Sequence, residues 1–181
     1  AELQRLLPAR GTALEIAAGT GQHAEHFAAA LPGWTWLPSD AEAAALAHID
    51  ARCRSLPNVS PALHLDVRVQ PWAGVPAALD LVYAANLLHI APWPVCAALM
   101  QGAARHLTPG GLLLTYGPYV VDGEPTAPSN LAFDADLRAR NPAWGLRRLA
   151  DVQAEARAAG LALRESVAMP ANNRLLVWAR G

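Results

Sequence analysis

The sequence predicts an α/β fold, a mostly parallel sheet with helices on both faces, and three observations predict it. Apolar segments of strand length alternate with segments of helical periodicity along most of the 181 residues, the pattern that right-handed crossovers build into a parallel sheet. Residues 80–85 (DLVYAA) are apolar on both alternating sides, as strands covered on two faces are. Residues 12–24 (TALEIAAGTGQHA) run from a strand through a turn at Gly19 and Gly21 into a helix.

In chain order, residues 1–9 put Leu3, Leu6 and Leu7 on one helical face and stop near Pro8. The first strand holds Ala13, Leu14, Glu15, Ile16 and Ala17. Ala24, Phe27, Ala28 and Leu31 then recur at i, i+3, i+4 and i+7, an amphipathic helix that Pro32 and Gly33 end. Residues 34–37 give the second strand. Ser39-Asp40-Ala41-Glu42 fits a capping box, with Ser39 as N-cap and Glu42 reaching back, before a helix that turns Leu46, Ile49, Cys53 and Leu56 to the core.

Residues 59–65 form a weaker third strand ending at Asp66, and residues 80–85 the fourth. A helix over 92–107 carries its prolines in the first turn, where a missing N–H costs little. Thr108-Pro109-Gly110-Gly111 is a turn, and residues 112–116 are the fifth strand. The stretch 117–148, rich in proline and glycine, breaks the rhythm. It is expected to be an irregular insertion with one short helix near 131–140, and such insertions are commonly functional or mobile. Residues 151–159 are helical, Gly160 suits the position after a helix end, and residues 161–167 with 174–179 close the fold as a strand pair. One domain over 1–181 accommodates all of this, burying roughly 70 % of the unfolded chain's surface.

Composition excludes several chemistries. The formal charge is −1 and no basic stripe is present, which disfavours a nucleic-acid partner. All 14 basic residues are arginine, so there is no P-loop lysine and no lysine for a Schiff base. The serine-hydrolase GxSxG is absent. Cys53 and Cys96 lack zinc-site spacing and read as free thiols, with no metal site expected. No apolar run approaches the roughly 18 residues of a bilayer span and no leader opens the chain, so a cytoplasmic protein without a membrane partner is expected. Oligomeric state is left open.

In open parallel sheets ligands sit outside the carboxyl ends of the strands. Glu15 with the glycine turn, Asp40, Asp66, Asn86 and residues 116–119 gather there. Glycines let a backbone approach a ligand, and the new helix offers unpaired N–H groups. Asp40, nineteen residues after Gly21, suits ribose hydroxyls; Asp66 suits the base, and Glu15 a cationic amino group. Asp40 serves equally as a partner of the helix dipole, worth about 0.3–1 kcal/mol, and Asp66 as a turn residue. Gly19-Thr-Gly21-Gln-His-Ala24 also satisfies the G-x-G-x-x-A dinucleotide form.

With Glu15, Ala17-Ala-Gly19-Thr-Gly21, Asp40, Asp66 and Pro109-Gly110-Gly111 in place, the sequence resembles the class I S-adenosylmethionine-dependent methyltransferases. Ala17 departs from that pattern, standing where its first glycine falls. EIAAGTGQHAEHFA, NLLHIAPW, PGGLLLTYGPY, PSNLAFDADLRARNPAWGLR and MPANN are similar to the methyltransferase-like protein 26 family, whose members carry a further N-terminal segment that is missing or shortened here. The resemblance implies a Rossmann-like fold with a seven-stranded sheet, its last strand antiparallel beside the sixth. It also implies S-adenosylmethionine as cofactor, held by Glu15, Ala17, Gly19, Gly21, His23, Asp40, Asp66 and Asn86.

Methyl transfer needs the acceptor aligned and water excluded, with a base only for a protonated acceptor. Asn86 and His89 would stand nearest the chemistry, with Tyr116, Tyr119, Asp134 and Asn172 completing a pocket for a small-molecule acceptor. His89 is the first candidate base because a free histidine titrates near neutrality; its bland alternative is a ring bonded to a backbone carbonyl. The Asn86-Leu-Leu-His89 run differs from the Asn/Asp-Pro-Pro-aromatic motif of enzymes that methylate nucleic-acid amino groups. His26 reads as solvated. Arg138, Arg140, Arg147 and Arg148 either bind an acidic acceptor or pair with Asp134, Asp136 and Asp151, and Trp93 and Trp144 either wall the pocket or pack. Two rival functions are an NAD-binding oxidoreductase and a non-catalytic S-adenosylmethionine-binding module that acts through a protein partner.

Overall fold

The structure, a computed structural model, describes residues 2–180. Its elements are α1 (Glu2–Leu6), β1 (Gly11–Ile16), α2 (Gln22–Ala30), β2 (Trp34–Asp40), α3 (Ala43–Cys53), β3 (Leu63–His64), β4 (Leu79–Ala85), α4 (Pro94–His106), β5 (Leu107–Gly117), β6 (Tyr119–Val120), α5 (Pro128–Arg140), β7 (Arg147–Arg148), α6 (Leu149–Ala158), β8 (Leu161–Met169) and β9 (Asn173–Arg180). Ala1, part of the first expected helix, lies outside the described residues.

Seven strands form one sheet in the order β3-β2-β1-β4-β5-β9-β8. The first five run parallel, and β9 is antiparallel to both β5 and β8. This is the expected α/β architecture with its closing antiparallel pair. Strand periodicity sends Leu14, Ile16, Val82 and Leu113 to one face, against Leu99, Met100 and Ala103 of α4 and Val152 and Ala156 of α6. Ala13, Leu81, Tyr83 and Leu114 point the other way, toward Leu3 of α1, Ala24 and Ala28 of α2, and Cys53 of α3. Of the residues expected to face the core from α3, Ile49 and Cys53 are buried and Leu46 and Leu56 half-buried. No described helix is long and apolar enough to cross a membrane.

Several boundaries differ from the expected ones. The capping box does not form. Ser39 stays in β2, fully buried, and its hydroxyl donates to the Glu15 carbonyl oxygen at 2.7 Å. Glu42 takes the N-cap position with no side-chain cap, and its amide is bonded by Asp40 instead. The third strand shrinks to two paired residues, although Val59 keeps an isolated bridge to Trp36. The turn at 108–111 lies inside β5 as a bulge, because Leu79 pairs with Leu107 and Leu81 with Leu112. The insertion is more ordered than its composition suggests: α5 begins at Pro128, and β6 and β7 pair as a second, two-stranded sheet.

Candidate functional site

Residues 17–21 turn the chain from β1 into α2 through three left-handed positions, Ala17 (φ 55°), Gly19 (φ 58°) and Gly21 (φ 75°). Two are glycine, which adopts this region without steric cost. Ala17, where the resembled pattern has glycine, adopts it at a cost of about 1–2 kcal/mol. Backbone bonds from the Ala18 amide to Ser39 O and from the Gly21 amide to Ala18 O fix the curve. Gly21 also lets α3 come close, since a methyl group there would meet Ile49 Cα at 3.1 Å. Above Gly19 the opposite holds: a methyl group would find no atom within 4 Å.

Asp40, at the end of β2, braces this loop. Its Oδ2 accepts from the Gly19 amide at 2.8 Å and its Oδ1 from the Glu42 amide at 2.9 Å. Each carboxylate oxygen carries two lone pairs, so acceptor capacity remains on both. The first intrahelical bond of α2 runs from the Glu25 amide to Gly21 O, leaving the amides of Gln22, His23 and Ala24 without an acceptor in the helix. A loop open above Gly19, a carboxylate at its edge and free helix amides together fit the ribose and charged tail of an adenosyl cofactor.

Glu15 lies beneath the loop, 1 % exposed. Its Oε2 accepts from Trp36 Nε1 at 2.7 Å, and its Oε1 stands 3.9 Å from His23 Nδ1. Burial pushes its carboxyl up to about 7, against the pull of the Trp36 bond and with a smaller push from Asp40. His23 is lowered, chiefly by burial and then by His26. The Glu15 carboxylate is thus tied to the core rather than projected over the loop.

Asp66 falls two residues past β3. Arg68 binds it bidentately, with contacts down to 2.7 Å, and this holds the carboxyl below its ordinary range. No hydrogen bond joins it to Asp40 among the described residues.

Asn86 (φ 55°), at the end of β4, donates its amide to Tyr116 O at 2.8 Å. A methyl group on Gly117 would meet His89 Cε1 at 3.2 Å and Asn86 Oδ1 at 3.6 Å, so Asn86 and His89 flank the end of β5 together. His89 is 4 % exposed and packs edge-on against Phe133. Burial, with Arg147 adding to it, brings its pKa down to about 4. The reason for choosing it as base is therefore corrected: its pKa is far from neutrality, and the ring is a neutral, weak acceptor at pH 7. Its alternative, a ring bonded to a carbonyl, is not seen among the described residues; the His89 backbone carbonyl accepts the Gly145 amide.

Tyr119 belongs to the core. Its hydroxyl donates to Thr115 Oγ1 at 3.0 Å, the same oxygen that takes Trp178 Nε1, and burial raises its pKa. Tyr119 nevertheless lines, with Asn172, a small cavity beside the end of β5. Tyr116 is half-buried on the opposite side of the sheet, facing the cavity between α1 and α2. Asp134 is occupied by Arg138 and the Leu146 amide, whereas Asn172 lines a small cavity of about 200 Å³ with Asn130 and Arg174.

Three of the four insertion arginines pair structurally: Arg138 with Asp134, Arg140 with Asp136, and Arg148 with Asp122 and, at 3.8 Å, Asp151. Arg147 instead donates to the carbonyls of Leu88, Ala91 and Ala143 and lies over the Trp93 ring. Trp144 packs under Arg140. Trp36 and Ser39 were not anticipated as parts of the site. Trp36 and Ser39 reach Glu15 only through the β1–β2 register, which a single sequence does not display.

The family model described as "Protein of unknown function (DUF938)" matches residues 1–180. Among solved structures, the chain superposes on "CalO1, Methyltransferase in Calicheamicin Biosynthesis, SAH bound form" with a TM-score of 0.80 at 20 % identity, covering 99 % of this chain and 52 % of that one. The "Pyocyanin Biosynthetic Protein PhzM" gives 0.82 at 20 % identity, covering 99 % and 53 %. An "O-methyltransferase family protein from Burkholderia thailandensis" gives 0.81 at 20 % identity, covering 96 % and 52 %. The chain spans about half the length of these structures, and at such identity the likeness is one of fold.

Proposed function

This chain belongs to the DUF938 family of proteins of unknown function, and from that premise we propose that it is an S-adenosylmethionine-dependent methyltransferase acting on a small-molecule acceptor. The observation that carries the reading is the open loop at Gly19, braced on Asp40 at the carboxyl edge of a β3-β2-β1-β4-β5-β9-β8 sheet. Its solved neighbours include a methyltransferase with SAH bound, which supports the same cofactor here. The sequence likeness to the methyltransferase-like protein 26 family is a finer form of this proposal.

In this reading the backbone of Ala17, Gly19 and Gly21 holds the cofactor's tail and Asp40 takes the ribose hydroxyls. Asp66 lies on the base side, with the acceptor capacity its Arg68 pair leaves. Glu15 and His23 bound the amino-acid end, and Asn86 bridges it to the acceptor. The cofactor, when bound, supplies an electrophilic methyl group. The chain's part is to align the acceptor on the Tyr116 side of the carboxyl edge that Asn86 and His89 also flank, and to keep water out.

The oxidoreductase reading loses its footing on topology: β9 runs antiparallel between β5 and β8, unlike the all-parallel 3-2-1-4-5-6 order of dinucleotide folds. A binding module without catalysis is the other reading to be tested, since cofactor-binding and catalytic residues are separable. Thermal unfolding tests the main reading. S-adenosylhomocysteine at 100 times its dissociation constant stabilises by about 2.7 kcal/mol, and NAD leaves the midpoint unmoved. A shift with NAD alone refutes the proposal. Cofactor binding with no turnover across phenols, amines and acids favours the binding module.

A further inference from the structure

A cavity of about 580 Å³ lies on the α1–α3 side of the sheet, between α1, α2 and the turn joining β8 to β9. One wall is aromatic. His23 stacks on Phe27 with ring centroids 5.7 Å apart and meets Tyr83 edge-on at 5.8 Å, and Phe27 meets Tyr83 at 5.2 Å; Tyr116 stands beside them. The volume falls within the roughly 300–1,000 Å³ of small-molecule sites, which are apolar with a few placed polar groups.

The polar groups are in place. Tyr83 is 3 % exposed, yet its hydroxyl has no hydrogen-bond partner among the described residues, where no fully buried polar side-chain atom goes unpartnered. That hydroxyl therefore faces the cavity. His23 adds a half-exposed ring backed by Glu15. Among the described residues no arginine lines the cavity, and its wall holds Glu2 with the imidazoles of His23 and His26.

The position is also specific. Tyr83 and Tyr116 lie close to the carboxyl ends of β4 and β5, and His23 is two residues past Gly21. The cavity thus adjoins the edge at which the glycine loop opens. A seam left by imperfect packing of α1 would be lined by aliphatic side chains and would leave no core hydroxyl unpaired.

We propose that this cavity is the acceptor pocket and that it takes an uncharged, flat aromatic molecule bearing a hydroxyl group, its ring against the His23–Phe27–Tyr83 wall and its hydroxyl bonded by Tyr83. Only the word acceptor rests on the methyltransferase reading; the binding site stands without it. Aromatic carboxylates are poor ligands, because among the described residues no arginine meets them.

Titrating the full chain with 2-naphthol, by calorimetry and by its intrinsic tryptophan fluorescence, tests the site. The expected result is a dissociation constant below about 1 mM, in line with the efficiency of small ligands, and at least tenfold weaker binding of 2-naphthoate. Tyr83→Phe weakens 2-naphthol by about three- to tenfold, the worth of one hydrogen bond. Ala30→Trp, a substitution on the cavity rim, abolishes binding, while both variants bind S-adenosylhomocysteine within twofold of the parent. Failure of 2-naphthol to bind, equal binding of 2-naphthoate, or unchanged binding in both variants overturns the proposal. Naphthol binding without S-adenosylhomocysteine binding upholds the cavity and sinks the methyltransferase reading; the converse result does the reverse.

Discussion

The Asp40 carboxylate holds the Gly19 amide at 2.8 Å while its other oxygen holds the Glu42 amide. One side chain, 8 % exposed, thereby fixes both the glycine loop and the start of α3. Asp40→Ala leaves two amides without acceptors and costs about 1–3 kcal/mol in urea unfolding. It also weakens S-adenosylhomocysteine binding at least tenfold. Unchanged affinity in a folded variant would remove Asp40 from the ribose role.

The two ends of the loop respond in opposite senses. Ala17→Gly relieves a left-handed alanine (φ 55°), and after the entropy cost of glycine the net gain is up to about 1 kcal/mol. Gly21→Ala places a methyl group 3.1 Å from Ile49 Cα at φ 75° and destabilises by about 1–3 kcal/mol. Chemical denaturation of the two variants in parallel checks both signs.

Glu15 makes stability depend on pH. Its folded pKa, about 7, stands above the ordinary 4.5, so between those values the folded state binds more protons than the unfolded state and stability falls as pH rises. Glu15→Gln keeps an oxygen for Trp36 and removes the ionisation. The variant matches the parent near pH 4.5 and exceeds it by up to about 3 kcal/mol at pH 8. Parallel unfolding curves at every pH would contradict this.

His89 acts in the acid range. Its pKa, about 4 in the fold against 6.5, means that the unfolded chain takes up this proton first as pH falls. Its contribution to stability is lost from about pH 6.5 down to about 4. The imidazole Cε1 proton resonance stays flat from pH 8 to 5 and moves only below that. An inflection near 6.5 would restore His89 as a neutral-range base.

Arg147 ties the insertion to the segment after β4 through the carbonyls of Leu88, Ala91 and Ala143. Arg147→Lys keeps the charge but loses the planar fork. Faster amide hydrogen exchange in residues 86–93 is expected, with global stability lowered by about 1–2 kcal/mol.

Periodicity made the layers legible. The i, i+3, i+4, i+7 pattern placed α2, and the doubly apolar DLVYAA run placed β4 at the sheet's centre. The glycine loop was legible because its steric demand is local: positive φ at 19 and 21 falls on glycine. Ser39 misled because a capping box and a strand end share the same residues, and burial under Glu15 decided between them. The hydrogen bond of Tyr119 to Thr115 was not legible, because it depends on how residues 119–120 fold back beside β5. The aromatic cavity was hidden for a related reason. His23, Phe27, Tyr83 and Tyr116 come from three separate stretches, and only pairing and helix docking bring them together.

The reversed direction of β9 divides the labour of the chain between distant stretches. Because β9 enters the sheet from the edge where β1, β4 and β5 leave it, the turn at Pro170–Asn172 is a neighbour of loops more than fifty residues earlier in the chain. That turn borders both the aromatic cavity and the small polar one, and it is remote in sequence from the glycine loop. Changes in its length would reshape both cavities while leaving the glycine loop as it is, so the two regions are free to diverge separately.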